Sequence, residues 1–150
     1  MLPKLNFPEY TFRFKKNTSG QISIFDDIRK KFIILTPEEW VRQNLISFLI
    51  NEKKYPKGLL AVEKSLQLNN TNKRSDIRIY DSRKNLLLIA ECKAHTINLD
   101  HKSIEQVMRY EISQQAKLII VSNGLQFICM KKNEEGKFIV INEIPEFNSL

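Results

Sequence analysis

The chain has 150 residues, the length of one domain with a single well-buried core. Its hydrophobic (42%) and charged (27%) fractions are near the globular average, and no apolar run approaches the ~18 residues of a membrane span, which excludes a membrane partner of that kind. Lys and Arg outnumber Asp and Glu by 24 to 17, for a net charge of +7, so a polyanion is the favoured partner, nucleic acid ahead of an anionic membrane surface.

The N-terminus, Met1 to Asn6, has no apolar stretch of the secretory type, and a cytoplasmic setting is expected. Tyr10 to Phe14 alternates, turns at Asn17-Thr18-Ser19-Gly20 and resumes at Gln21 to Phe25, which predicts a β-hairpin. Lys31 to Leu35 is a short apolar strand. Thr36-Pro37-Glu38-Glu39 starts a helix, with Thr36 as N-cap, Pro37 in the first helical position and Glu39 closing a capping box. Trp40, Val41, Leu45, Phe48 and Leu49 form its apolar stripe, which fades by Tyr55-Pro56-Lys57-Gly58.

Leu59 to Glu63 and Ser65 to Leu68 read as a strand pair or one bent strand, and Asn69 to Lys73 as a polar turn. Ile77 to Tyr80 is a strand, Asp81 to Asn85 a turn, and Leu86 to Lys93 a strand whose unbroken apolar run needs cover on both faces. A helix over about Lys102 to Gln115 turns Ile104, Val107, Met108 and Ile112 to the core. Lys117 to Val121 follows as a strand, parallel to the previous one by a right-handed crossover. Gln126 to Met130 and Phe138 to Ile141 complete the sheet. The reading is one α/β domain over 1–150, a mixed sheet flanked by helices, with residues 1–35 as a β-hairpin extension and a core of about 36–132. The edge strands near the C-terminus leave room for a homodimer without demanding one.

Chemistry concentrates between Arg74 and Lys93. Asp76 opens one strand, and Glu91-Cys92-Lys93 closes the next. Two carboxylates can hold Mg²⁺ or Mn²⁺ through oxygen, and a lysine two residues after the glutamate points to the same side of the strand. Glu-x-Lys alone is common by chance, and its weight comes from Asp76 on the neighbouring strand. Gln106 and Tyr110, four apart, share a helix flank from which they can hydrogen-bond a carboxylate, the lysine or a phosphate. Glu39 could add a third carboxylate, although capping already accounts for it, and Glu63 is a comparable candidate whose ordinary role is pairing with a lysine. Cys92 and Cys129 read as small core residues, too few for a disulfide scaffold. His95 and His101 lack the partners of a zinc site, and without a Walker-type loop these residues hold no ATPase motor.

Four elements together resemble the PD-(D/E)xK nuclease superfamily, and more closely the N-terminal nuclease domain of type I restriction enzyme R subunits. They are Thr36-Pro37-Glu38-Glu39-Trp40-Val41-Arg42-Gln43, Lys73-Arg74-Ser75-Asp76-Ile77, Glu91-Cys92-Lys93-Ala94 and Gln106-Val107-Met108-Arg109-Tyr110. Ser75 stands where the signature has proline. The resemblance implies a restriction-endonuclease-like fold and a metal-dependent DNA endonuclease. In it Asp76, Glu91 and the Cys92 carbonyl would be metal ligands, Lys93 would stabilise charge or position water, and Gln106 and Tyr110 would support the site. Implied partners are DNA and other subunits of a defence or repair complex. The alternative is a non-catalytic nucleic-acid-binding or protein-interaction module of a larger assembly.

Overall fold

The computed structural model describes residues 2–62, 67–68, 71–72, 76–111 and 115–150, with backbone alone at 67–68, 71–72, 106 and 109–111. Strands β1 (Phe14–Lys16), β2 (Ile22–Asp26) and β3 (Lys31–Ile34) form an antiparallel sheet. The Asn17 side chain closes the first turn by accepting the Ser19 and Gln21 N–H groups at 3.1 and 2.8 Å. The expected hairpin is therefore present, but its first strand starts later than Tyr10. Pairing begins where the Phe25 N–H reaches the Arg13 carbonyl, and β3 joins as a third strand. Before Arg13 the chain instead runs along the next helix, whose Trp40 donates from Nε1 to the Pro3 carbonyl and stacks edge-on against Phe12.

That helix, α1 (Pro37–Asn51), begins as expected: Thr36 Oγ1 accepts the Glu39 N–H at 3.1 Å. Val41, Leu45 and Leu49 are fully buried. After it come β4 (Leu60–Ala61), β5 (Gln67–Leu68) and β6 (Thr71–Asn72). Thr71–Asn72 pairs with Gln67–Leu68 as a small antiparallel ladder, which corrects the reading of that stretch as turn alone. A separation of two residues is enough for a hairpin connection, and a pair of such short strands leaves no periodicity to read.

The main sheet adds β7 (Ile77–Tyr80), β8 (Leu86–Cys92), β9 (Leu118–Ser122), β10 (Phe127–Lys132) and β11 (Phe138–Ile141), in the order β11-β10-β9-β8-β7-β4. Only β8 and β9 are parallel among these pairs, as expected of a crossover through α2 (His101–Glu111). Leu88, Ala90 and Cys92 of β8 share one core with Ile77, Ile79, Leu118, Ile120 and the stripe of α1. Val107 of α2 packs with Ile119, Val121 and Met130 in a second core. The two helices thus cover opposite faces of the sheet, and the continuous apolar run of β8 follows from that double cover.

The N-terminal segment is pinned across this sheet. Leu5 is buried, the Asn6 N–H donates to the Gly124 carbonyl at 2.7 Å, and Gly124 has φ +85°. A Cβ on Gly124 would lie 2.7 Å from Leu5 Cδ2. Gly124→Ala should therefore cost about 1–3 kcal/mol, through the left-handed backbone and the collision together. Urea unfolding checks this, and a loss below experimental error would contradict it.

Candidate active site

The register of β7 against β8, Ile77 opposite Ala90, brings Asp76 and Glu91 to the same end of two neighbouring strands. Asp76 is buried, and its Oδ2 accepts the Cys92 N–H at 2.6 Å. Glu91 lies beside Val121 of β9, and hence on the α2 side of the sheet with Ile119. The Lys93 backbone continues the parallel ladder by donating to the Ser122 carbonyl at 2.8 Å. Its Nζ lies 3.4 Å from Glu91 Oε1, as side-chain alternation requires of residues two apart. Both side chains keep partial access to water, 20% for Glu91 and 30% for Lys93. Asp76 is thus tied to the Cys92 main chain, and Glu91 to Lys93, where the two strands end.

Glu39 approaches from α1. Its N–H does serve the cap, but its carboxylate turns inward. Oε1 accepts from Arg42 Nη1 at 2.7 Å and from Arg29 Nη2 at 2.9 Å, and Oε2 accepts from Gln43 Nε2 at 3.2 Å. Arg42 then spans to the strand, its Nη2 lying 2.5 Å from Asp76 Oδ1. Arg29 reaches the other way, donating from Nε to Asp26 Oδ2 at 2.6 Å. Five residues alternate in sign from the small sheet to the candidate site: Asp26, Arg29, Glu39, Arg42, Asp76.

Burial decides what this line is worth. Arg42 and both its carboxylate partners have side chains no more than 5% exposed. Burial by itself pulls the Arg42 guanidinium down, but Asp76 and then Glu39 outweigh it, so it stays above its ordinary value and charged. Burial likewise works to raise Asp26, yet hydrogen bonds and charge from Arg29, with the Ile28 N–H, hold its carboxyl below the usual 3.8. The Cys92 thiol is pushed far up, first by burial and then by Asp76, and stays protonated.

The sequence-predicted residues divide accordingly. Asp76 reaches the Cys92 N–H, Lys93 reaches Glu91 at the same strand ends, and Glu39 is joined to Asp76 through Arg42. Gln106 and Tyr110 lie four apart on α2, but their side chains fall outside the described residues, as does all of Glu63. Sequence reasoning gave no role to Arg42, Arg29 or Asp26. The available signal was spacing, since Asp26/Arg29 and Glu39/Arg42 are both three apart with opposite charge. Among the described residues no group of three or more His, Cys, Asp or Glu is gathered as a metal cluster, and Arg42 Nε finds no acceptor.

An α/β sandwich with two carboxylates and a lysine at the ends of two paired strands is the class that fold and site define. Residues 37–145 match the family described as type I restriction enzyme R protein N terminus (HSDR_N), and the chain belongs to that family. The match takes in Glu39, Arg42, Asp76, Glu91 and Lys93, and begins after β3. No curated protein matches the chain. No helix among the described residues is long and apolar enough to cross a membrane.

Two predictions follow from the ion-pair line. Arg42→Met removes the cation that meets buried Asp76 and leaves Glu39 to Arg29, and should cost about 3–5 kcal/mol in urea unfolding. Combining it with Asp76→Asn should recover about 1–3 kcal/mol relative to the sum of the single changes, whereas strict additivity would deny the coupling. Asp26 has a folded-state pKa below its unfolded value, so its contribution is present above pH 3.8 and is lost as pH falls through the folded value. Asp26→Asn should cost about 1–3 kcal/mol at pH 7, with the gap to the wild type closing under acid below that point. A gap independent of pH would contradict it.

Proposed function

We propose that this domain is a Mg²⁺- or Mn²⁺-dependent DNA endonuclease of the PD-(D/E)xK superfamily, working in restriction or defence with other subunits, in the cytoplasm. The observation that carries the reading is that Asp76 and the Glu91–Lys93 pair stand at the same end of the paired strands β7 and β8, with Asp76 tied to the Cys92 main chain. Membership of a restriction enzyme family supports the same chemistry.

The donor set fits a hard cation. An ionised carboxylate offers about four acceptor positions, and Asp76 uses two, on Arg42 and the Cys92 N–H. Asp76 and Glu91 would hold the metal with the Cys92 carbonyl, all of them oxygen donors. The bound metal would supply a polarised phosphoryl oxygen and a water acidified for attack on the phosphodiester. Arg42 orients Asp76 while Glu39, already engaged by Arg29, Arg42 and Gln43, orients Arg42. Lys93 sits against Glu91, where its ammonium offsets charge developing on the phosphoryl group. Gln106 and Tyr110 support the site from α2.

A second reading, a non-catalytic nucleic-acid-binding module, draws on the Arg42–Asp76 pair, which already neutralises Asp76 without a metal. Incubation with supercoiled and linear DNA in Mg²⁺ or Mn²⁺, with EDTA controls, separates the two. The nuclease reading expects metal-dependent cleavage that falls at least about a hundredfold in Lys93→Ala. Cleavage no greater than that of the variant, with DNA still bound, would leave the binding module.

A further inference from the structure

The outward face of the small sheet is used by neither the fold nor the site. Ile24 and Asp26 are fully buried, so β2 turns them inward and presents Ser23 and Phe25 to the other side. Register places Phe32 opposite Phe25 and Ile34 opposite Ser23, with Lys15 on the far side of Ser23. Arg13 pairs next to Phe25 through its carbonyl. The resulting face is aromatic and basic together. Phe25 and Phe32 meet edge-on at 5.2 Å, the Arg13 guanidinium lies 3.9 Å from the Phe25 centroid, and Lys15 Nζ is 5.8 Å from that of Phe32. Phe32 is 40% exposed and Ile34 52%.

Charge defines the occupant further. From Arg13 to Ile34 the bases are Arg13, Lys15, Lys16, Arg29, Lys30 and Lys31, and the acids only Asp26 and Asp27. Asp26 is committed to Arg29, and Asp27 to Lys30 and Lys57. On the face itself the cations are Arg13 and Lys15, and the acids of the segment are already engaged. We propose that this face binds single-stranded DNA, its bases stacking on Phe32 and on the Arg13 guanidinium while Lys15 meets phosphates. A duplex would present phosphates alone and make no use of exposed rings. An apolar protein partner would have to strip water from Arg13 and Lys15 with no acid to receive them. The choice of DNA rests on the function proposed above, whereas the stacking surface does not. It lies outside the segment shared with the restriction family, and Arg29 links it to Glu39 and so to the candidate site.

The test is fluorescence anisotropy of a labelled oligothymidylate of about 20 nucleotides, longer than one such site, with the whole 150-residue chain in EDTA. Binding should weaken as salt rises, by at least about tenfold in Arg13→Glu/Lys15→Glu, and by about fivefold or more in Phe32→Ala. Arg83→Glu/Lys137→Glu, exposed positions elsewhere with the same change in net charge, should stay within about twofold. No binding, an equal loss in that control, tighter binding to a duplex of the same length, or binding of oligouridylate alone would each overturn the proposal. Because the assay contains no metal, bound oligonucleotide without cleavage in the nuclease assay would remove the enzyme reading and leave this surface. Cleavage without binding here would do the reverse.

Discussion

Arg42 is a guanidinium sealed from water, and a cation in that position must be met by carboxylates or the fold cannot hold it. Two meet it, Glu39 from its own helix and Asp76 from the lip of β7. The rest of the arrangement depends on this. The pair with Asp76 fixes α1 against the sheet at the end where the strands stop, beyond the reach of the Val41–Leu45–Leu49 stripe. Glu39 has acceptor capacity to spare, so it also takes Arg29, and through Arg29 the small sheet is docked onto the first turn of α1. Buried ion pairs contribute little net stability because desolvation offsets most of the attraction, but breaking one is expensive. The line from Asp26 to Asp76 therefore works by excluding other arrangements of helix and sheets.

Much of the fold was legible because its signals are local. Thr36-Pro37 starts α1 through chemistry contained in four residues, and the unbroken run from Leu86 to Ala90 could only be a strand covered on both faces. A helix after that strand, followed by Lys117 to Val121, implied the parallel β8–β9 pair. What escaped was set by tertiary contact. The stretch before Arg13 alternates as a strand should, yet Trp40 draws Pro3 and Phe12 to the helix instead. The pairing of Thr71–Asn72 left no pattern at all, since two residues cannot show a period.

The candidate site divides along the same line. Asp76, Glu91 and Lys93 could be placed together because strand alternation and a meander are enough to bring strand ends side by side. Glu39 was read as a cap from its position in the first turn, and its N–H does serve that purpose. Nothing local told which way its carboxylate would turn, because the cations that turn it are Arg29, ten residues earlier, and Arg42. Arg42 was given no role, since one of the two buried acids that meet it, Asp76, lies 34 residues away in the chain.

This arrangement bears on how carboxylates can share a strand end before any metal arrives. Asp76, Glu91 and Glu39 are all acidic, and like charges brought together in a low-dielectric setting repel. Here each has a cation beside it. Arg42 serves Glu39 and Asp76, and Lys93 stands beside Glu91. The apo site is thereby balanced, and the two cations differ in a way that matters for the proposed chemistry. Arg42 is buried and held at two points, whereas Lys93 is partly exposed and lies at a longer distance from Glu91. In the proposed chemistry Glu91 would hold the metal, and Lys93 would offset charge on the phosphoryl group. Asp76, clamped by Arg42 and the Cys92 N–H, would keep its orientation throughout. The buried arginine thus fixes the orientation of Asp76, while the lysine beside Glu91 keeps its access to water.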